Sequence, residues 1–155
     1  LFNEDGSPKA EVLKAKRRGV LFDVGHGSSS FSFNIAIKAI KNGFKPDFIG
    51  SDIYDKNKYT VVKSLQNTMN KMIASGLRIE DVIQKVTNNP AKHFNLEGIG
   101  FLKEGFKGDI TVYKINNSII RLQDSVGTEI ESKHWIEAKN TIANGILYKV
   151  IDGGK

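Results

Sequence analysis

The hydrophobic pattern of the first third of the chain alternates between helical and strand-like stretches. Residues 7–19 have the signals of a helix, with Ser7 as the cap, a proline in the first turn, basic residues near the end and a terminal glycine. The short apolar run at residues 20–24 (VLFDV) is typical of a strand covered on both faces. Apolar residues then recur at helical spacing from Phe33 to a closing glycine, and residues 46–52 (PDFIGSD) predict a second strand. This alternation predicts the βα units of a parallel sheet or barrel.

The rest of the chain predicts two further helices and then a β-rich unit. The helices are expected at residues 64–75 and 79–86, and acidic residues in the first turn of the second one suit the helix dipole. The inward residues of the first are expected to be Leu65, Met69, Met72 and Ile73. From Gly98 onward, glycine turns separate the runs GDITVYKI, IIRLQDS and NGILYKVI, which we interpret as antiparallel strands.

Two chemically reactive side chains follow the two strands predicted first. The stretch GVLFDVGHGSSSFSF (residues 19–33) places His26 between two glycines directly after the first strand, and Asp52 ends the second. Loops after the carboxyl ends of strands carry the chemistry in parallel α/β folds, so both residues are expected at one edge of the sheet. The flanking glycines let the backbone turn sharply and let a ligand approach closely.

Each of these residues has a structural interpretation as well as a functional one. His26 is a turn residue bonded to the backbone, a side chain at the mouth of a site that donates to a substrate carboxylate or carbonyl, or a partner that orients another ligand. From the residues alone, Asp52 is favoured as a cap of the loop that follows it, a role that aspartate fills well. His93, at a helix end, and His134, beside a tryptophan, are expected to be structural or surface residues.

Composition narrows the classes of function. The chain has 155 residues, 39% of them hydrophobic and 26% charged, which fits one globular domain rather than a disordered chain. The net charge is +6, but the positive residues are almost all lysine and no basic stripe interleaved with aromatics is present, so no nucleic-acid partner is expected. No apolar run reaches the roughly 18 residues of a membrane span, so no membrane partner is expected either. The absence of cysteine excludes disulfides and thiolate zinc sites, and it is compatible with the cytoplasm, where we expect the protein to act.

Three stretches of the sequence carry a family resemblance: FDVGHGSSSFSF, GFKPDFIGSDIY and VTNNPAKHFNLEGIGFLKEGFKGDITVY. Together they resemble the C-terminal part of amidohydrolase-superfamily metallohydrolases, in particular the dihydroorotase-like amidohydrolase/deacetylase family. The third stretch is the most specific. Its Thr-Asn-x-Pro-Ala, followed by Gly-x-Leu-x-x-Gly-x-x-Gly-Asp-Ile, is similar to the passage from barrel to β-sandwich in that superfamily. The resemblance extends to the final ANGILYKV and so covers nearly the whole chain.

The resemblance implies a fold class and a chemistry. Residues 1–97 would be the last βα units of a (β/α)8 TIM-type barrel, and residues 98–155 would be strands of a small β-sandwich. The barrel would hold one or two divalent metal ions, commonly zinc, through a His-x-His, often a carboxylated lysine, two further histidines and a last-strand aspartate. By order and context Asp52 matches that aspartate, as a metal ligand and as the catalytic residue that takes a proton from the attacking water and passes it to the leaving group. His26 would be a substrate-binding residue at the barrel mouth.

The sequence departs from the family pattern in the ligands that it lacks. It contains no His-x-His, and neither His93 nor His134 lies in a metal motif. We therefore expect the chain to be roughly the last third of an enzyme and to be inactive alone, with most of the metal ligands on an N-terminal part outside it. A start at Leu1 rather than at methionine agrees with that expectation.

Two functions remain open at this stage. The first is the C-terminal portion of a metal-dependent hydrolase that cleaves an amide, a cyclic amide or an acetyl group of a small molecule. Its partners would be the remaining N-terminal part of the same enzyme and, as a further possibility, other copies of itself. The second is a non-catalytic remnant that acts as a binding or structural partner through the apolar surfaces that the absent strands would cover. The barrel interpretation requires the strands at residues 20–24 and 48–51 to be adjacent and parallel, with His26 and Asp52 opening to the same side.

Overall fold

The computed structural model of the chain describes residues 1–150. The helices in this part of the chain are α1 (Ala10–Arg17), α2 (Phe33–Lys41), α3 (Leu65–Ala74), α4 (Ile79–Val86) and α5 (Asn88–His93). The strands are β1 (Asp23–Gly25), β2 (Phe48–Gly50), β3 (Ile110–Asn116), β4 (Ile120–Gln123), β5 (Glu129–Ser132), β6 (Trp135–Ala143) and β7 (Ile146–Lys149).

The first helix begins later than its sequence signals predict. Its N-cap is Lys9, which makes no side-chain capping bond, so the prediction of Ser7 as the cap is wrong. The reason is that Ser7 is bound elsewhere: its Oγ and its backbone N–H both donate to Oδ1 of Asp5, over 2.6 and 2.8 Å. The carboxylate of Asp5 therefore fixes Ser7 in the turn that precedes the helix.

The strands β1 and β2 form a parallel pair, as predicted. Asp23 pairs with Phe48, Val24 with Ile49 and Gly25 with Gly50. The first strand is shorter and later than the apolar run at 20–24, because Val20 still donates its N–H to the end of α1. Val20 and Leu21 are 45% and 40% exposed, so the prediction that the whole run is covered on both faces is wrong.

The helices α2, α3 and α4 lie close to their predicted positions. Ser64 caps α3 by accepting the N–H of Asn67 over 3.1 Å, and α4 has the predicted bounds. The prediction that Leu65 faces inward is wrong, because this residue lies in the first turn of α3 and is 40% exposed. Further along, every residue from position 68 to 73 is buried. The helix contacts β2, α4 and β6, so it has no solvent face there.

The C-terminal half forms the predicted antiparallel strands and two more. β3, β6 and β7 make one sheet in that order, and β4 and β5 make a hairpin. The pattern did not predict β5 and β6, because their stretch (TEIESKHWIEAKNTIA) mixes polar residues into both faces and is ordered by pairing with neighbouring strands. The last predicted run, NGILYKVI, ends at position 151, which lies outside the described residues.

A single hydrophobic cluster joins the two halves of the chain. It contains Phe31, Phe33 and Ile49 from the βα part, Met69 and Met72 from α3, and Leu122 and Ile136 from the β part. The β unit is thus held against α3 by shared core contacts, and the division at residue 97 stays a prediction. Nowhere in residues 1–150 does a helix have the length and apolar character needed to cross a membrane.

Candidate active site

The carboxyl ends of β1 and β2 lie side by side and bring the two predicted site residues to one edge of the sheet. Gly25 and Gly50 form the last pair of the ladder. His26 follows directly in loop 1 (residues 26–32), and Asp52 lies near the start of loop 2 (residues 51–64). At the surface the two loops are joined by a hydrogen bond of 2.5 Å between the hydroxyls of Ser28 and Tyr54. The prediction that both residues follow neighbouring strand ends at one edge is confirmed for the backbone.

Asp52 is an exposed residue whose carboxylate lies against the backbone of loop 1. A Cβ added to Gly27 would lie 2.7 Å from Oδ2 of Asp52, and φ of Gly27 is +50°. Glycine is therefore favoured there by the backbone conformation, and a Cβ at this position would displace the carboxylate of Asp52. Asp52 itself has φ of 50°, a left-handed conformation that aspartate tolerates better than most residues.

The turn that follows Asp52 is organised by a different residue. Asn57 is fully buried, donates from Nδ2 to the backbone carbonyl of Asp52 over 2.9 Å, and accepts the N–H of Tyr54 at Oδ1 over 2.8 Å. Within residues 1–150, no donor forms a hydrogen bond with the carboxylate of Asp52. Asn57 thus fills the loop-capping role considered for Asp52, and the Asp52 carboxylate remains available to a ligand.

His26 is fully buried, and both of its ring nitrogens have partners. Nδ1 lies 2.9 Å from the carbonyl oxygen of Gly27, Nε2 lies 2.8 Å from Nζ of Lys71, and the ring stacks on Phe31 with 4.9 Å between centroids. Burial is the main cause that lowers the pKa of His26 below its ordinary value of 6.5. The imidazole is therefore neutral at pH 7, enclosed behind loop 1 and not exposed at the edge.

Lys71 is the buried cation beside that imidazole. It lies on α3 with 1% of its surface exposed, and Nζ also donates to the carbonyl of Val61 in loop 2 over 2.5 Å. Burial, and after it the positive charge of Lys63, lowers the pKa of Lys71 to about 8. Asp124 opposes this shift through its negative charge.

Asp124 connects the β unit to the start of α2. It is fully buried in the turn of the β4–β5 hairpin, and its carboxylate accepts the N–H groups of Phe33, Val126 and Thr128 over 3.0, 3.0 and 2.8 Å. Burial alone would raise the pKa of Asp124, but these donors outweigh it and lower the pKa below the ordinary value of 3.8. The neighbouring Ser125 donates its N–H to the carbonyl of Phe31, so the hairpin turn also holds loop 1.

The sequence signals did not single out Lys71 or Asp124. Helical periodicity predicts a buried face and a solvent face, and Lys71 lies outside the apolar set of α3, so only the packing of neighbours on all sides reveals its burial. Asp124 belongs to the turn-like stretch DSVGT, which indicates a hairpin but not a contact with a helix 91 residues away in sequence.

The other histidines lie away from this edge of the sheet. His93 is exposed at the end of α5, beside Phe48 and Phe94, and His134 is exposed with Nδ1 2.9 Å from Oδ1 of Asn117. Across the described part of the chain, no three histidine, cysteine or acidic side chains lie together as a metal-binding group. The residues that the structure describes therefore form no complete metal site by themselves.

Comparison with known proteins assigns the chain to a family of enzymes. Residues 27–148 match the Amidohydrolase family, and the chain belongs to that family. A deacetylase of Enterococcus faecalis is 37% identical over 136 residues, which make up 87% of this chain and 37% of that protein. The chain spans about a third of the length of the curated relatives it matches.

Two solved structures share the fold over nearly the whole chain. The crystal structure of an adenine deaminase superposes with a TM-score of 0.87 at 36% sequence identity, covering 91% of this chain and 39% of that one. The crystal structure of a dihydroorotase superposes with a TM-score of 0.81 at 28% identity, covering 91% of this chain and 38% of that one. The mixed α/β fold described above is therefore a fold of the amidohydrolase superfamily.

Proposed function

We propose that this chain is the C-terminal part of a cytoplasmic, metal-dependent amidohydrolase and that Asp52 is its catalytic residue. The observation that supports this most directly is the placement of Asp52. Its exposed carboxylate has no hydrogen-bond donor within residues 1–150, and it packs on Gly27 where two parallel strands end. In (β/α)8 barrels this edge of the sheet carries the active site.

The metal proposed for this site is a divalent ion, in the first place zinc, with Asp52 as one ligand. Carboxylate oxygen is a common zinc ligand in catalytic sites. The remaining ligands would come from an N-terminal part of the enzyme that is not in this sequence. When bound, such an ion supplies an activated water molecule and polarises the substrate carbonyl.

The role proposed for Asp52 is proton transfer at its carboxylate. Asp52 would bind the ion through its carboxylate, accept a proton from the attacking water and pass that proton to the leaving group. His26 would serve this site from behind loop 1. Its burial and its two occupied nitrogens favour the role of an orienting partner over direct contact with the substrate.

The substrate class proposed is a small molecule with a hydrolysable amide, cyclic amide or acetyl group. The relatives support this range, since they include a deacetylase and a dihydroorotase. An N-acetylated amino acid, an acetyl ester and dihydroorotate are therefore the first compounds to assay with the full-length protein.

The test is the variant Asp52→Asn in the full-length protein, with Asp55→Asn as the matched control. Asp55 is an acid of the same loop whose side chain is 92% exposed and pairs with Lys58. We expect Asp52→Asn to lower the hydrolysis rate by about 100-fold or more, since general acid–base catalysis contributes 10²–10⁴-fold, and Asp55→Asn to leave it unchanged. More than about a tenth of the wild-type rate in Asp52→Asn would contradict the assignment. A full-length protein without bound metal and without activity on these compounds would favour the non-catalytic remnant.

A further inference from the structure

The buried ammonium of Lys71 lies between the two loops that carry the candidate site. We propose that Lys71 is a positioning residue that links loop 1 to loop 2, through His26 on one side and Val61 on the other, and so fixes the Asp52 carboxylate. This inference rests on the proposed function of Asp52.

The contact with loop 1 runs through the neutral imidazole of His26. An ammonium group can only donate hydrogen bonds, so Nε2 of His26 accepts over the 2.8 Å that separates it from Nζ of Lys71. The carbonyl of Gly27 can only accept, so the ring proton lies on Nδ1 and is donated to it over 2.9 Å. The two contacts require the same tautomer, and together they connect Lys71 to the backbone of Gly27.

The contact with loop 2 reaches the other side of the same carboxylate. Val61 accepts from Lys71 and also from Nδ2 of Asn67. Its neighbour Val62 donates its N–H to the carbonyl of Asn57 over 3.3 Å. Asn57 in turn binds the backbone carbonyl of Asp52 over 2.9 Å. On the side of loop 2, the contacts from Lys71 therefore lead to the backbone of Asp52. On the side of loop 1, they lead to Gly27, against which the side chain of Asp52 packs.

Packing alone does not account for a lysine at this position. Burying an ammonium group carries a large desolvation cost, whereas a methionine, as at the neighbouring position 72, would fill similar volume without that cost. What the lysine adds is two directed hydrogen bonds to acceptors on two different loops. Asp124, whose negative charge favours the charged form of Lys71, lessens the electrostatic cost.

Replacement of Lys71 is expected to lower the rate of turnover without weakening the binding of substrate. Residues that orient the groups of a metal site typically change activity or metal affinity by 10–100-fold. Lys71 is buried, so it does not meet the substrate at the exposed edge. We expect Lys71→Met in the full-length protein to lower kcat by about 10–100-fold and to change KM by less than about threefold.

The second readout is the tautomer of His26 and the ¹⁵N chemical shift of its Nε2, measured by NMR on protein labelled with ¹⁵N-histidine and assigned with His26→Gln. In the wild type at pH 7 we expect a proton on Nδ1 and none on Nε2. In Lys71→Met the carbonyl of Gly27 still accepts from Nδ1, so we expect the same tautomer with a changed Nε2 shift, because that nitrogen has lost its donor. Lys63→Met is the control, because it removes an exposed positive charge close to Lys71 and keeps both hydrogen bonds. It should alter neither kcat nor the Nε2 shift.

The outcomes separate this inference from the proposed function. A wild-type His26 protonated on Nε2 would overturn the inference even if Lys71→Met fails to fold. An unchanged kcat and Nε2 shift in Lys71→Met, with activity lost in Asp52→Asn, would overturn it and leave the proposed function standing. An Nε2 shift that changes in Lys71→Met, while Asp52→Asn remains active, would confirm the contact and refute the role assigned to Asp52.

Discussion

Nζ of Lys71 lies 2.8 Å from Nε2 of His26, and the two residues are 1% and 0% exposed. The histidine that the sequence places between two glycines is thus not displayed at the sheet edge but is held from behind by a helix 45 residues further along the chain. The glycines serve the loop itself, since Gly27 has positive φ and lets the carboxylate of Asp52 lie close to its backbone.

We expect Gly27→Ala to reduce activity far more than an equally strained substitution elsewhere. The added Cβ would lie 2.7 Å from Oδ2 of Asp52 and would displace the carboxylate. Gly19→Ala is the matched control, because Gly19 also has positive φ, at +90°, but has nothing within 4 Å of the added Cβ. Both variants should lose about 1 kcal/mol of stability, and steady-state kinetics should show at least a tenfold loss only in Gly27→Ala. Equal loss of activity in the two variants would contradict a functional role for the contact between position 27 and the carboxylate of Asp52.

Removal of the buried imidazole should separate turnover from metal binding. His26→Ala leaves the carbonyl of Gly27 without its ring donor and Lys71 without one acceptor, so loop 1 loosens. We expect a lower kcat and an unchanged metal content in elemental analysis of the full-length protein. A loss of metal together with activity would show that His26 is itself a metal ligand.

The burial of Lys71 predicts a pH dependence of stability. Its pKa is about 8 in the folded protein and 10.5 ordinarily, so between these values the unfolded chain holds a proton that the folded chain has released. Stability relative to Lys71→Met should therefore rise with pH across this window, by roughly 2–3 kcal/mol at about 1.4 kcal/mol per pKa unit. Urea unfolding of both proteins at pH 7.5 and pH 10 measures the change. If the difference in unfolding free energy between wild type and Lys71→Met did not vary with pH, Lys71 would be in contact with solvent rather than buried.

The carboxylate of Asp124 should stabilise the fold in its charged form. It accepts three backbone N–H groups, and Asn at this position keeps only one acceptor oxygen. We expect Asp124→Asn to cost about 1–3 kcal/mol in urea unfolding at pH 7. Because the pKa of Asp124 is lowered in the folded state, this advantage is complete above the ordinary value of 3.8 and is lost as pH falls through the folded pKa. If wild type remained more stable than Asp124→Asn well below the folded pKa of Asp124, the negative charge would not be the cause of the difference.

Local signals in the sequence were enough to predict the order of most elements and the sheet edge near which the candidate site lies. Glycine and proline signals, acidic residues at a helix start and apolar spacing are local properties, and they predicted α4 to the residue and the parallel strands after which His26 and Asp52 lie. Asp52 could be placed at this edge in advance because the strand pattern is local, whereas its choice as a catalytic residue came from the family resemblance, since the residues alone favoured a loop cap.

Which polar residues are buried, and what they bind, depends on contacts between segments that are far apart in the sequence. Lys71 and Asp124 meet loop 1 and α2 across 45 and 91 residues of sequence, and no local pattern encodes such a contact. The same holds for β5 and β6, which exist because neighbouring strands satisfy their backbone groups, and for His26, which is enclosed by Phe31 and α3. Local sequence sets the conformations that a segment prefers, whereas the desolvation and pairing of a side chain depend on partners that only the folded chain brings near.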